Sequence, residues 1–503
     1  MYCSPPSTPG ARPASCIAGA GTMLARTKAY RRCDRHMGRQ VEYRAFTEAD
    51  HAAFVERLNA ETERLRLLFE NEQFGDAATT IGYEVEACLV DEAGRPADAN
   101  MGFLERLNMP AAVPELARCN IEFNGRPRGI AGRGLADMQA ELDEWLALGR
   151  RTAGRMGLSL LMIGILPTLR EADMDLEHIS PSPRYRILNE NVARLRGRQQ
   201  VALDISGEQH YQGRFDSIMA ESAATSFQLH LRLPPAEAAR WYNAAQIAAG
   251  PLLAAAANSP YLFGHDLWAE TRIPSFAQAV DAGDVHFVTF GRGYVASLHE
   301  LFEENRARYP VLLPARCGDA PGFEHVNLHN GTIWRWNRPV LGEGEPPHLR
   351  VEHRSLPAGP TVLDMVANCA FFHGLVAELA QQPEPPEDRL SFASARRNFY
   401  RAARHGLAAE LDWSGGSDSV AALYQDRLLP AAREGLRRLD VEDTVAQYYL
   451  AVLAERVQRG LSGAGWQREW VRLHGHDMTG LVQAYGANQM SGKPLSEWDL
   501  RRC

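Results

Sequence analysis

Apolar and polar residues alternate one for one in five short runs of this chain, and the polar halves of those runs hold most of its candidate chemistry. Over 81–89, Ile81, Tyr83, Val85, Ala87 and Leu89 alternate with Gly82, Glu84, Glu86 and Cys88. That is the period of a strand with one buried face, so Glu84 and Glu86 point the same way. In 226–233 the apolar side is Phe227, Leu229, Leu231 and Leu233, which leaves Gln228, His230 and Arg232 together. Residues 349–354 put Arg350, Glu352 and Arg354 on one side, and 120–124 do the same for Asn120, Glu122 and Asn124. The fifth run, 333–338, is shorter and presents Arg335 and Asn337 on a common side.

Two acids side by side on a sheet face repel, and water, a basic neighbour or a bound cation must offset them. Taken singly, each run is an ordinary antiparallel strand with a solvated, salt-bridged outer face. Taken together, Glu84, Glu86, Glu122, Glu352 and His230 are donors for a divalent cation, and the arginines beside them suit phosphate. No Gly-x-x-x-x-Gly-Lys loop occurs. A nucleotide's phosphates would then be held by metal and arginine rather than by backbone amides.

The helical period marks 47–69, opened by Thr47 with Asp50 three residues on, and 134–156, followed by a buried strand at 158–165. The segment 181–212 is polar, rich in Arg and Asn and without clear period, and reads as a long loop that contacts a partner or covers the site. Helices follow over 235–257 and 361–380. Residues 381–389 form a Pro- and Glu-rich linker, and beyond it the pattern is helical at 390–411, 419–437, 441–460 and 466–486. Strands first and helices last predict an α+β fold: a catalytic core over 45–380 and an all-helical region over 390–503. The stretch 413–418 reads as a loop between helices. His325 and His329 stand four apart, but Asn327, Asn330 and Gly331 argue against a helix there, and so against a zinc site.

Composition narrows the function. With a net charge of −8 and no basic tract interleaved with aromatics, a nucleic-acid surface is not expected. No apolar run approaches the roughly 18 residues that span a bilayer, so no membrane contact is expected. The eight cysteines form no Cys-x-x-Cys pair, which fits a reducing cytoplasm. Residues 1–44 are rich in Pro, Ser, Gly, Ala and Arg, with Asp34 the only acid before Glu42. They read as a disordered tail or an over-extended start, with Met23 or Met37 as the alternative, and are set apart from the fold.

Four fragments, in order, carry a family resemblance: Gly82-Tyr-Glu-Val-Glu86; Pro114-Glu-Leu with Asn120-Ile-Glu-Phe-Asn124; Thr225-Ser-Phe-Gln-Leu-His-Leu231; and Val351-Glu-His-Arg-Ser-Leu-Pro-Ala-Gly-Pro-Thr361. From about Ile81 to Leu379 the chain resembles the type 2 glutamate–cysteine ligases, in the glutamine-synthetase-like superfamily of carboxylate–amine ligases. The resemblance implies a curved antiparallel sheet with covering helices. It implies Glu86, Glu115 and Glu122 as ligands of one divalent cation, and Glu84, His230 and Glu352 as ligands of a second. The cations would be Mg2+, with Mn2+ also acceptable, and the nucleotide ATP. Glu115 comes from the resemblance alone. Arg354 would face the transferred phosphate, Arg335 and Arg338 the nucleotide phosphates, and Arg272 the α-carboxylate of the amino acid.

The implied chemistry activates a carboxylate with ATP and lets an amine displace phosphate from the acyl phosphate. The expected product is γ-glutamylcysteine, made through γ-glutamyl phosphate from small-molecule substrates. A second hypothesis keeps this chemistry with another amine or amino acid as acceptor. A third is a non-catalytic nucleotide- or amino-acid-binding protein, and the presence of all six ligand residues weighs against it. Homo-oligomer contact through the helical region is left open.

Overall fold

The protein's structure, a computed structural model, describes residues 46–315 and 322–501, so the expected tail at 1–44 lies outside the described residues. Helix α1 (Glu48–Glu70) begins where its cap predicts: the Asp50 amide donates to the Thr47 hydroxyl and the Thr47 amide to the Asp50 carboxylate. Phe54, Leu58 and Leu65 form its buried stripe.

Four of the five alternating runs become one sheet, built from β1 (Thr80–Val90), β2 (Ala112–Pro114), β3 (Asn120–Asn124), β4 (Phe227–Arg232), β5 (Asn337–Gly342) and β6 (His348–His353). All pairings are antiparallel, in the order β5-β6-β4-β1-β3-β2. Two short strands, Arg128–Gly129 and Ser159–Leu161, pair with the ends of β1. The register sets Glu86 opposite Glu122, Glu84 between Gln228 and Asn124, and His230 between Gly82 and Glu352. Opposed residues in a ladder share a face, so the polar sides of four strands merge into one surface.

The apolar side is fully covered. Tyr83, Val85, Phe123, Phe227, Leu229 and Val351 are buried under α2 (Gly134–Gly154), α3 (Ala238–Ala256) and α4 (Val362–Gln381). Contrary to the expectation from sequence, α4 is long and apolar enough to cross a membrane, yet it is buried on all sides as a core helix.

Beyond residue 390 the long helices are α5 (Phe392–His405), α6 (Leu429–Arg438), α7 (Asp443–Gln458), α8 (Gly463–His474) and α9 (Met478–Met490). They do not form the separate region expected from sequence, since among the described residues they share one compact unit with the sheet. A Cβ on Gly435 of α6 would lie 1.8 Å from the Gly374 carbonyl oxygen of α4, so only glycine permits this approach. Arg456 of α7 pairs with Asp364 of α4 at 3.2 Å, both buried. The Gln489 side chain of α9 exchanges hydrogen bonds with the Met162 backbone. The linker at 381–389 contains one helical turn, Pro386–Arg389.

Three local expectations are corrected. The supposed loop at 181–212 holds a helix, Pro183–Leu195, and a hairpin of Val201–Ser206 with His210–Phe215. Its apolar positions, Ile187, Leu188 and Val192 and then Val201, Leu203 and Ile205, are buried but diluted by polar neighbours that hid the period. Residues 413–418 belong to a hairpin, Glu410–Trp413 with Gly416–Ser419, that turns through positive φ at Gly415 and Gly416. Residues Glu324–Asn330 are a short helix despite their asparagines, and its histidines take separate partners, His325 the Glu61 carboxylate and His329 the Asn305 carbonyl.

Candidate active site

On the polar face, β1 supplies Glu84 and Glu86, β3 supplies Glu122, and the chain leaving β2 supplies Glu115. Glu86 accepts from the Ser226 amide at 2.9 Å, the Ser226 hydroxyl at 2.7 Å and Gln228 at 3.3 Å. Glu122 accepts from Asn124 at 2.7 Å, and Glu115 from the Leu116 amide at 3.1 Å. Few donors serve a group of recessed acids. Burial raises Glu115 to about 8, with Glu86 the next cause. Burial also raises Glu122 well above the carboxylate range, reinforced by Glu84, Glu115 and Glu86. Glu86 is raised by burial against the opposing pull of Ser226 and Arg272.

Toward β5 and β6 the balance reverses. Glu84 contacts His230 Nε2 at 3.1 Å. Arg338 forks onto both oxygens of Glu352 at 2.8–3.1 Å, and Arg354 donates to Glu352 and Gln228. Burial alone would raise Glu352, but Arg338, Arg354 and His230 hold it well below the usual range. Arg350 shares this face, and its Nε is buried without a partner.

Beside this face lies a cavity of about 40 Å3, room for roughly three waters. Its walls include Glu86, Glu115, Glu221, Arg272, Trp336 and Arg354. Arg272 starts the helix Arg272–Ala279 and is 4% exposed. One of its terminal nitrogens donates to Glu270 and to the Ser355 carbonyl, both at 3.0 Å, while its Nε is buried without a partner. Glu221 lies in the 3-10 turn Ile218–Ala223, and burial followed by Glu115 and Glu86 raises it to about 8.

The structure thus gathers nine of the ten residues singled out from sequence: Glu84, Glu86, Glu115, Glu122, His230, Arg272, Arg338, Glu352 and Arg354. Arg335 does not join them. It is buried against Glu304 at 3.1 Å and Asn305 at 2.9 Å. The run 333–338 is not one strand: Trp334–Arg335 pairs in parallel with Val288–Thr289, and a new strand begins at Asn337. The break at Trp336 reverses the parity, so Arg338 reaches Glu352 and Asn337 turns to His353. Sequence reasoning missed Glu221, whose irregular turn has no period to reveal it, and gave no role to Arg350, although strand parity had placed it on the polar face.

The divalent cations implied by the family resemblance can be tested against these donors. Glu86, Glu115 and Glu122 fit a hard cation, since they are oxygen ligands whose mutual repulsion a dication would cancel. The second set fits less directly, because Glu352 is already engaged by two guanidinium groups. Among the described residues, no three acid, histidine or cysteine side chains converge into a closed metal shell. Binding therefore requires side-chain rotation.

Residues 80–487 match the model of glutamate–cysteine ligase family 2 (GCS2). The chain belongs to that family. It is similar to a putative glutamate–cysteine ligase 2-2 of Nocardia farcinica (strain IFM 10152), 25% identical over 425 residues that cover 78% of this chain and 91% of the relative. Its fold is similar to that of a glutamate–cysteine ligase from Francisella tularensis solved in complex with AMP. The TM-score is 0.50 at 11% identity, over 85% of this chain and 91% of that one. As a member of glutamate–cysteine ligase family 2, the protein is an ATP-dependent carboxylate–amine ligase on an α+β fold.

Proposed function

We propose that this site joins the γ-carboxylate of glutamate to the amino group of cysteine, with ATP as the activating substrate. The observation that carries this reading is the meeting, in one recess of the sheet's polar face, of repelling carboxylates with the guanidinium groups of Arg272 and Arg354. The carboxylate oxygen attacks the γ-phosphorus and the bond to the ADP oxygen breaks. The amine then forms the C–N bond and phosphate leaves. Both anions must be neutralised and held in line as they meet.

Arg354, Arg338 and Arg350 surround Glu352 and are placed to take the phosphate oxygens, releasing Glu352 as they do. Arg272 offers its free Nε edge to the donor's α-carboxylate, and Glu221 faces the donor's ammonium. Bound magnesium or manganese, held by Glu86, Glu115 and Glu122, would supply electrostatic neutralisation of the phosphates. Cys88, Cys119 and Cys369 are buried free thiols, in keeping with a reducing compartment such as the cytoplasm.

The test is purified protein with ATP, Mg2+ and glutamate, screened against a panel of amines for phosphate release and amide product. Cysteine is expected to give the highest kcat/KM. Faster turnover with another amine would reassign the acceptor, and no amide with any amine would overturn the proposal.

A further inference from the structure

Helix α5 carries a second cavity that the ligase chemistry does not use. It measures about 570 Å3 and is lined by Trp268, Arg396, Arg397, Tyr400, Arg401 and Arg404, with His405 at one end. The lining residues of α5 recur at spacings of three and four, so they occupy one helix face. In a chain with a net charge of −8 this is a local excess of the opposite sign.

The nearby acids do not balance it. Asp412 serves two of the arginines, Arg397 at 2.6 Å and Arg401 at 3.2 Å. Glu208 acts on His405, which also feels Arg404, Arg401 and Arg468. Among the described residues neither Arg396 nor Arg404 has an ion-pair partner. Each guanidinium instead lies over an aromatic ring, Arg396 5.9 Å from Tyr400 and Arg404 5.9 Å from Trp268. A guanidinium laid on a ring is held in place while its N–H groups stay open to an acceptor.

We propose that this groove binds a compact anion carrying two or more phosphate groups. Its volume lies in the ~300–1,000 Å3 range of small-molecule sites. From Arg396 to Arg404 the helix advances only about 12 Å, which suits two or three phosphates rather than a track along a nucleic-acid strand. Planar forks favour phosphate oxygens taken two at a time. The inner face of α5 also reaches the ligase site: Phe399 packs at 5.6 Å against Trp336, a wall of the catalytic recess.

The test uses the full chain and sodium tripolyphosphate, by titration calorimetry without divalent cations at two salt concentrations. An Arg354→Ala background suppresses binding in the catalytic recess. In that background binding is expected to persist, to weaken with salt, and to fall at least tenfold when Arg396→Glu and Arg404→Glu are added. Unchanged melting temperatures show that the variants are folded, and Trp268→Phe should reduce the emission change on binding. Equal affinity with and without the charge reversals would overturn the proposal. So would tighter binding of a 12-nucleotide RNA than of tripolyphosphate, which would make the groove a nucleic-acid surface.

Discussion

Replacing Glu115 by Gln is expected to stabilise the metal-free protein while disabling it. The Glu115 carboxyl is raised on folding from an ordinary 4.5 to about 8. At pH 7 the folded chain keeps a proton that the unfolded chain has lost, at about 1.4 kcal/mol for each pH unit above 4.5, or about 3 kcal/mol. Glu86 shares the repulsion, so the part belonging to Glu115 is about 1–3 kcal/mol. An acid raised in this way favours the fold most below pH 4.5, and that advantage drains away as pH rises to about 8. Gln carries no proton to gain or lose, so the gap between variant and wild type should open over the same window. With roughly 450 described residues, unfolding entropy near 1 kcal/mol/K turns this into a Tm gain of about 1–3 °C at pH 7 and almost none at pH 4. Scanning calorimetry across pH measures it. Added Mn2+ should reverse the order, since only the wild type gains a ligand-linked increment, and phosphate release by the variant should fall at least about a hundredfold. A variant that melts no higher than wild type at pH 7 and 8, and takes up Mn2+ equally well, would refute the assignment of Glu115 to a cation site.

Arg272→Lys should raise the KM for the donor amino acid about tenfold or more and leave that for ATP nearly unchanged, because lysine cannot reproduce a bidentate pair worth about 1.5–3 kcal/mol. An effect confined to ATP would reassign the residue. Glu221→Gln should weaken glutamate while leaving its des-amino analogue glutarate unaffected; equal losses with both would make Glu221 a cation ligand instead. A fragment ending at Gln382 should be insoluble or unfolded, since α4 would lose its cover, and a soluble, active 45–382 fragment would contradict the shared core. Glu105→Gln, at an exposed position of the helix Asn100–Leu107, should be nearly silent in all these assays.

Strand parity made half of the site legible. A period of two converts sequence directly into a face, which is why Glu84, Glu86, His230 and Glu352 could be grouped before any register was known. The same rule misled at Arg335, because parity survives only while a strand is unbroken, and the chain changes partners at Trp336. Glu115 needs the return of β2 against β3, Arg272 the start of a helix and Glu221 an irregular turn, none of which has a periodic signature. Likewise the apolar stripes of the C-terminal helices were visible, but not their destination. That is settled by the close passage of Gly435 against Gly374 and by the buried pair of Arg456 with Asp364.

That last pair bears on how the chain is made. Asp364 is buried in α4 and waits for Arg456, which is 92 residues further along. At about 5–20 residues per second, a ribosome needs roughly 5–20 s to supply it. Through that interval the strands with the candidate site residues have all been synthesised, yet the helix behind them holds an acid without its arginine and an open groove where α6 belongs. The nascent sheet therefore cannot close onto its final core until the chain is nearly complete, and a chaperone that shields α4 during this delay would act on the slowest-maturing part of the enzyme.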